Sequence, residues 1–173
     1  GSGMNDEVYD IVAFGSDIFA CGIFRTAGGA VAKGLASWDG STWTGYTFAF
    51  SEVLDHYVLN LAVSATELYL NGGFSINDGE SFWWKGIFRV DGGSLWIVNL
   101  GFNGPITDIG VVGNDLYAVG HFTVNGITSL KRVAKWDGSW WTQPGTGFDS
   151  GYVQTLSSSG SDLYVGGKFA TAG

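Results

Sequence analysis

Short apolar runs, separated by polar and glycine-rich turns, recur four times along this chain. Each recurrence begins with two apolar residues three positions apart, and an acidic residue follows six positions after the second of them. Runs of this length, bounded by turn residues, predict β-strands rather than helices. The apolar pairs are Val8/Ile11, Val58/Leu61, Ile106/Ile109 and Val153/Leu156.

The acidic residue opens a second strand-like run that is common to all four repeats. Its order is an acidic residue, Leu or Ile, Tyr or Phe, two variable residues, Gly, one variable residue and Phe. The run occupies 17–24, 67–74, 115–122 and 162–169, with spacings of 50, 48 and 47 residues between copies. Repetition at such a period indicates an architecture built from similar units that pack on their neighbours.

An Asp-Gly turn marks the second half of the first three repeats. Trp38-Asp39-Gly40, Val90-Asp91-Gly92 and Trp136-Asp137-Gly138 are followed by Trp43, Trp96 and Trp141, respectively. Asp-Gly between two strand-like runs predicts a hairpin, because glycine tolerates the positive φ that a tight turn requires. Each full repeat is therefore predicted to hold four strands, A to D, which in the first copy span 8–13, 18–24, 35–38 and 42–46.

Four strands repeated every 47 to 50 residues predict an all-β chain, a β-propeller segment of four-stranded antiparallel blades. The blades are expected at 5–50, 51–102 and 103–148, and a half-blade with strands A and B at 149–173. The chain thus carries about three and a half blades. Residues 1–4 resemble the remnant of an expression tag.

The repeats resemble those of kelch-type propellers. The form Gly-Gly-x-Phe-x-x-Ala-Gly, followed by Ala-x-Trp-Asp-Gly, is similar to repeats of bacterial surface proteins and of the fungal cortical-marker family. The second copy departs from this form, with Val90 in place of the turn tryptophan and Asn77-Asp78 in place of Ala-Gly. The resemblance implies a structural or binding module at the cell surface or outside the cell.

Composition excludes several classes of partner. The formal charge of −8, with only 8 Lys and Arg, argues against nucleic-acid binding, which needs a basic surface. One cysteine, Cys21, excludes an internal disulfide, and no apolar run is long enough to cross a membrane. The two histidines, His56 and His121, lie in different repeats, so neither a metal site nor a cofactor is expected.

A position that is filled alike in every repeat is expected to serve the fold. Phe19, Tyr69, Tyr117 and Tyr164 share such a position, and the turn residues Asp39, Asp91 and Asp137 share another. Because no catalytic motif appears, a non-catalytic function is expected. A propeller glycoside hydrolase ranks last among the alternatives and would depend on a polar ring of Asp10, Asn60, Asp108 and Gln154 at the channel.

The long B–C and D–A loops differ between copies and share one face of the predicted ring. Variable loops on a constant scaffold favour partner binding there. The candidate binding residues are Phe48, Phe50, Asn77, Asp78, Glu80, Trp83, Trp84, Asn125 and Lys131. The alternative function is glycan binding, in which Trp83 and Trp84 stack on sugar rings.

An arc of three and a half blades leaves two blade faces uncovered, because propellers close with roughly four to eight blades. We therefore expect association with a second copy or with another propeller chain. Strand B of the half-blade has no predicted neighbour on its outer edge. The residues expected at this association edge are Leu163, Tyr164, Val165 and Phe169.

Overall fold

The computed structural model of the chain describes residues 2–47, 57–75, 81–91, 93–99, 101–126 and 128–172, with the backbone alone for 74–75 and 81–85. Within these ranges the chain is all-β, and every strand pairing is antiparallel. None of the described residues belongs to a helix that could span a membrane. The all-β prediction is confirmed.

Three sheets of four strands follow one another along the chain, each in the blade-like order first, second, third, fourth strand. Sheet I contains β1 (Val8–Phe14), β2 (Asp17–Gly22), β5 (Leu35–Trp38) and β6 (Trp43–Gly45). Sheet II contains β7 (Tyr57–Val63), β8 (Leu68–Ser75), β9 (Ser81–Asp91) and β10 (Ser94–Asn99). Sheet III contains β11 (Ile106–Val112), β12 (Asp115–Gly120), β15 (Val133–Trp136) and β16 (Trp141–Thr142).

Sheet IV has two strands, β17 (Tyr152–Ser159) and β18 (Asp162–Lys168). Small hairpins between the second and third strands of sheets I and III complete the set of described strands. They are β3 (Thr26–Ala27) with β4 (Ala30–Val31), and β13 (Val124–Asn125) with β14 (Thr128–Ser129). The predicted strands A to D therefore agree with the structure to within about two residues, whereas these hairpins were not predicted.

Sheet II replaces the small hairpin with longer central strands. In β8 and β9 the pairing continues to Phe74–Phe82 and Ser75–Ser81 beyond a bulge. The prediction that Trp83 and Trp84 lie in a loop is therefore wrong, because both belong to β9. Their side chains lie outside the described part of the structure.

The sheets pack face to face in chain order, and their first strands β1, β7, β11 and β17 are neighbours in that order. Apolar side chains fill each space between consecutive sheets. Phe19 and Leu35 of sheet I meet Val58, Leu61 and Leu68 of sheet II in one such cluster. Sheets II and III, and sheets III and IV, enclose two more clusters, so the core is divided into layers between the sheets.

One glycine per repeat lies where the second strand crosses a bulge in the first. A Cβ at Gly22 would stand 2.0 Å from the carbonyl oxygen of Glu7, and one at Gly167 would stand 2.4 Å from that of Tyr152. The other two members of the set are Gly72 and Gly120, with similarly close carbonyls. Close backbone approach, rather than chain flexibility, is why the repeated pattern requires glycine at this position.

The bulge also aims an acidic side chain at the next sheet. Asp10 Oδ2 accepts a hydrogen bond of 2.8 Å from the Leu61 amide, and Asp108 Oδ2 accepts one of 2.8 Å from the Leu156 amide. Thr155 also donates to Asp108 Oδ2, at 2.9 Å. Burial raises the pKa of Asp108, while these hydrogen bonds oppose the rise. The two carboxylates thus connect sheets I to II and III to IV.

The predicted alignment of Gln154 with Asp10 and Asp108 is wrong. The bulge residue in sheet IV is Gln154 itself, and the strand pairing places Thr155 at the position of Asp10 and Asp108. The sequence shows this as well, because Thr155 and Asp10 both follow the first apolar residue of their repeat by two positions. Asn60 occupies this position in sheet II, and its Oδ1 has no hydrogen-bond partner among the described residues.

Asp39 and Asp137 have the predicted role in their turns, whereas Asp91, the third predicted turn aspartate, is the last residue of β9 and pairs with Ser94. Asp39 Oδ1 accepts hydrogen bonds from the amides of Ser41 and Thr42, and Asp137 Oδ1 accepts them from Ser139 and Trp140, all between 2.7 and 2.9 Å. These bonds lower the pKa of both carboxyl groups. The following glycines at 40 and 138 have φ of +98° and +99°, which explains the Asp-Gly pair.

Candidate binding surfaces

The outer face of sheet I is apolar and open. Val8, Ile11 and Ile18 are 44%, 59% and 43% exposed, respectively. The residues at the same positions in sheets II and III are almost fully buried, because a preceding sheet covers them: Val58, Leu61, Leu68, Ile106, Ile109 and Leu116. We call this surface, defined by Val8, Ile11 and Ile18, the open face.

Sheet IV presents the opposite end of the stack. Within the described residues, β18 pairs only with β17, so its second edge is unpaired. Of the four predicted edge residues, Leu163, Val165 and Phe169 pack inward against the cluster shared with sheet III. Tyr164 alone faces away and is 59% exposed. Tyr164 is thus the most exposed of the four side chains, the other three are partly buried, and their part in association stays a prediction.

Sheet II has an exposed tryptophan because Trp96 lies one position further along its strand than Trp43 and Trp141 do in theirs. Trp43 and Trp141 pair with Trp38 and Trp136, respectively, across four-residue turns. In sheet II the same four-residue spacing places Leu95 opposite Val90, and the pairing continues one step further, to Asp91 and Ser94. Because successive side chains of a strand point to opposite faces, Trp96 turns outward and is 57% exposed. Trp96 is therefore not the structural equivalent of Trp43 and Trp141, although all three follow the Asp-Gly pair of their repeat.

Trp96 lies in a groove between β10 of sheet II and the hairpin of β15 and β16 in sheet III. One half, the charged cleft, has a volume of about 330 Å³ and includes Glu67, Tyr69, Arg89, Trp96 and Trp136 in its lining. The other half, the amide cleft, has a volume of about 340 Å³ and includes Asn99, Asn125, Thr128, Trp136, Trp140 and Trp141. Because the two halves share Trp136, we refer to them together as the tryptophan groove.

The charged cleft contains an ion pair. Arg89 Nη1 lies 2.8 Å from Glu67 Oε1, and the Tyr69 hydroxyl donates a hydrogen bond to Glu67 Oε2. The hydrogen bond from Tyr69 and the neighbouring guanidinium lower the pKa of Glu67, against the effect of burial. Burial and the neighbouring Glu67 raise the pKa of Tyr69, so its hydroxyl is a donor at neutral pH.

Among the described residues, no charged side chain lines the amide cleft. Trp140 is 75% exposed at the tip of its turn, whereas Trp141 beside it is 8% exposed and packs edge-on to Phe102 with ring centroids 5.1 Å apart. Two buried donors here have no hydrogen-bond partner among the described residues, namely Asn99 Nδ2 and Trp141 Nε1. Buried donors are costly when unpaired, so an acceptor that reached either atom through a small shift of the covering side chains would form a favourable hydrogen bond.

The predicted loop site is described only in part. Phe48, Phe50, Asn77, Asp78 and Glu80 lie outside the described residues, as does His56. Asn125 lies in β13 and lines the amide cleft. Lys131 is exposed, and its amide donates to Gln143 Oε1 at 3.0 Å, away from the tryptophan groove. Asn125 is therefore the one described candidate that the structure places in a cleft with other candidate ligand-binding groups.

Arg132 connects sheet III to the segment that precedes sheet IV. Its Nε donates to the carbonyl of Gly151 at 2.7 Å, and its Nη1 donates to that of Phe148 at 2.8 Å. Its φ of +66° is unusual for a residue with a side chain, and Gly34, with φ of +77°, occupies the same position in sheet I. The two hydrogen bonds therefore offset a backbone conformation that favours glycine.

Two substitutions separate these effects. Arg132→Met removes both hydrogen bonds and keeps the strained φ, so the free energy of unfolding should fall by about 2–3 kcal/mol. Arg132→Gly removes the same bonds but relieves the strain, so the loss should be smaller by about 1 kcal/mol. Urea unfolding of the two variants measures both changes. A larger loss for the glycine variant would contradict this account.

Cys21 is fully buried in the cluster between sheets I and II. Burial raises the pKa of the thiol, and the nearby negative charge of Asp10 raises it further. Because the thiolate is the reactive form, an aromatic disulfide reagent at pH 8 should modify native Cys21 at least about 100-fold more slowly than the denatured chain. Absorbance of the released thiol follows both reactions, and equal rates would contradict the burial of this side chain.

Comparisons with known proteins add no assignment. No family model matches this chain, and no curated protein matches it significantly in sequence.

Proposed function

We propose that this chain is a non-catalytic β-propeller segment that acts as a binding scaffold, and that a second copy covers its open face. The repeats support a propeller, because four sheets of one design stack face to face with their first strands adjacent. The sequence resemblance to kelch-type repeats agrees with this proposal. Asp10 and Asp108, the carboxylates considered for hydrolysis, each accept a backbone hydrogen bond from the next sheet, which favours a structural role.

The exposure of the open face carries the proposal. Val8, Ile11 and Ile18 occupy positions that are at most 5% exposed in sheets II and III, where a preceding sheet covers them. Burying an aliphatic side chain of this size contributes about 1.5–3 kcal/mol. In sheets II and III these three positions contact a neighbouring sheet. We therefore expect the partner of the open face to be a similar sheet, as a second copy of this chain would provide.

The other end of the stack offers such a partner surface. In each contact between consecutive sheets, the first two strands of one sheet lie against the first strand of the next. Sheet IV has those two strands, and Tyr164 on its outer side occupies the position of Phe19, which packs against sheet II. Two copies joined end to end would use the same contact twice, and the ring would close without a further partner.

Sedimentation velocity over a dilution series tests this association. The expected result is a concentration-dependent species with twice the 18.3 kDa mass of the chain. A monodisperse species of 18.3 kDa at every concentration would contradict it.

A further inference from the structure

We propose that the tryptophan groove binds a neutral oligosaccharide. This site is separate from the open face, and its occupancy does not depend on whether the chain associates. Four features of the described groove carry the inference: exposed indoles, unpaired buried donors, neutral polar side chains and length.

The exposed indoles lie where the repeats do not need them. Trp140 occupies the turn position of Thr42, and each donates its amide to the turn aspartate. Trp96 occupies the strand position of Thr44 and Thr142, as the pairing with the third strand shows. Because threonine at these positions is compatible with the same sheet, the two tryptophans are not required by the fold. Exposed indole faces at non-structural positions are suited to stacking on a ligand.

The unpaired donors favour a ligand that supplies hydrogen-bond acceptors. Asn99 Nδ2 and Trp141 Nε1 are buried without partners among the described residues, and both of their side chains line the amide cleft. A hydroxyl oxygen accepts such bonds, and the hydroxyl hydrogen can in turn donate to an amide or hydroxyl oxygen. Sugars combine several hydroxyl groups with C–H faces that pack against aromatic rings, so they match both features of the cleft.

The charge of the groove favours a neutral sugar. The polar side chains of the amide cleft are amides and hydroxyls, from Asn99, Asn125, Thr128 and Ser139. The formal charge of the whole chain is −8, which disfavours sulfated or uronic-acid polymers. Arg89, the one basic side chain among the described residues that line the charged cleft, is already paired with Glu67.

The length of the groove favours several sugar units over one. Each half has a volume near the lower end of the range for small-molecule sites, about 300–1,000 Å³. Strand β10 runs along both halves, with Trp96 in the charged cleft and Asn99 in the amide cleft. A chain of sugars lying along β10 would contact the exposed indoles of both halves, Trp96 and Trp140.

Isothermal titration calorimetry of the full chain with four neutral hexasaccharides tests the proposal. The probes are cellohexaose, laminarihexaose, chitohexaose and mannohexaose, each at up to about 1 mM. At least one should bind saturably, with quenching of tryptophan fluorescence. Trp96→Thr and Trp140→Thr should each weaken that binding by at least about tenfold, because each removes a stacking surface.

Tyr9→Thr is the matched control, because it removes an aromatic side chain that is 45% exposed and belongs neither to the groove nor to the open face. It should leave the affinity for the hexasaccharide unchanged. Thermal unfolding of the tryptophan variants should match that of the parent chain, since both side chains are largely exposed. The proposal is overturned if no hexasaccharide binds, if both tryptophan variants bind as tightly as the parent, or if a pool of unstructured peptides binds the groove and the sugars do not.

Discussion

Replacing Ile11 with aspartate should convert the associated form of this protein into an 18.3 kDa monomer. Ile11 is the most exposed residue of the open face, at 59%, so the charge costs little in the single chain. In an associated form the carboxylate would be placed in an apolar contact like that around Leu61 and Ile109. We expect a loss of about 3 kcal/mol in association free energy, or roughly 100-fold in the dissociation constant, measured by sedimentation equilibrium.

Ile97→Asp is the control for this prediction. Ile97 is 53% exposed on β10, so it matches Ile11 in residue type and exposure but lies outside the open face. It should associate as the parent chain does. Equal weakening by both substitutions would indicate a general effect of charge, and no weakening by Ile11→Asp would show that another surface mediates association.

Phe122→Ala should lower the free energy of unfolding by about 3–5 kcal/mol, the usual range for removing a large buried aromatic side chain. Phe122 is fully buried in the cluster between sheets II and III, with its ring centroid 4.4 Å from that of Phe102. Because close packing on both sides prevents the cavity from collapsing, the loss should lie in the upper part of this range. Guanidinium unfolding followed by tryptophan fluorescence measures it.

A second repeat offers a comparison for the loss in free energy of unfolding expected from Phe122→Ala. Phe169 occupies the same repeat position as Phe122 but remains partly exposed, because sheet IV has two strands in the described structure. Phe169→Ala should therefore cost about half as much as Phe122→Ala. Both substitutions should be measured in a chain that also carries Ile11→Asp, so that association does not contribute to the free energy of unfolding. Equal losses from the two substitutions would contradict the partial exposure of Phe169.

The strands could be predicted from the sequence because their signals are local. Each apolar pair begins nine positions before the acidic residue of the second strand, and each turn aspartate lies within five positions of the tryptophan that follows it. The small hairpins β3–β4 and β13–β14 have only two residues per strand and no apolar pattern, so periodicity could not find them. They are held from outside: Asn5 and Asn103 Oδ1 accept amide hydrogen bonds from 25–26 and 123–124.

The candidate groove could be predicted only in part. Asn125 was among the predicted binding residues, and Trp96 could have been found by counting, since it follows Val90 by six positions whereas Trp43 follows Trp38 by five. No sequence pattern pointed to Asn99. It lines the amide cleft only because β10 of sheet II lies beside a loop of sheet III, a contact between residues far apart in sequence.

By itself, the sequence determined what one unit is: four antiparallel strands with a fixed glycine, an Asp turn and apolar residues on both faces. These features follow from the two-residue period of strands and from backbone sterics, which act over a few residues. Only the tertiary structure decided which copy of each position is buried. Val8 and Val58 are equivalent in sequence, yet one is 44% exposed and the other is fully buried, because burial depends on whether another sheet lies against the face.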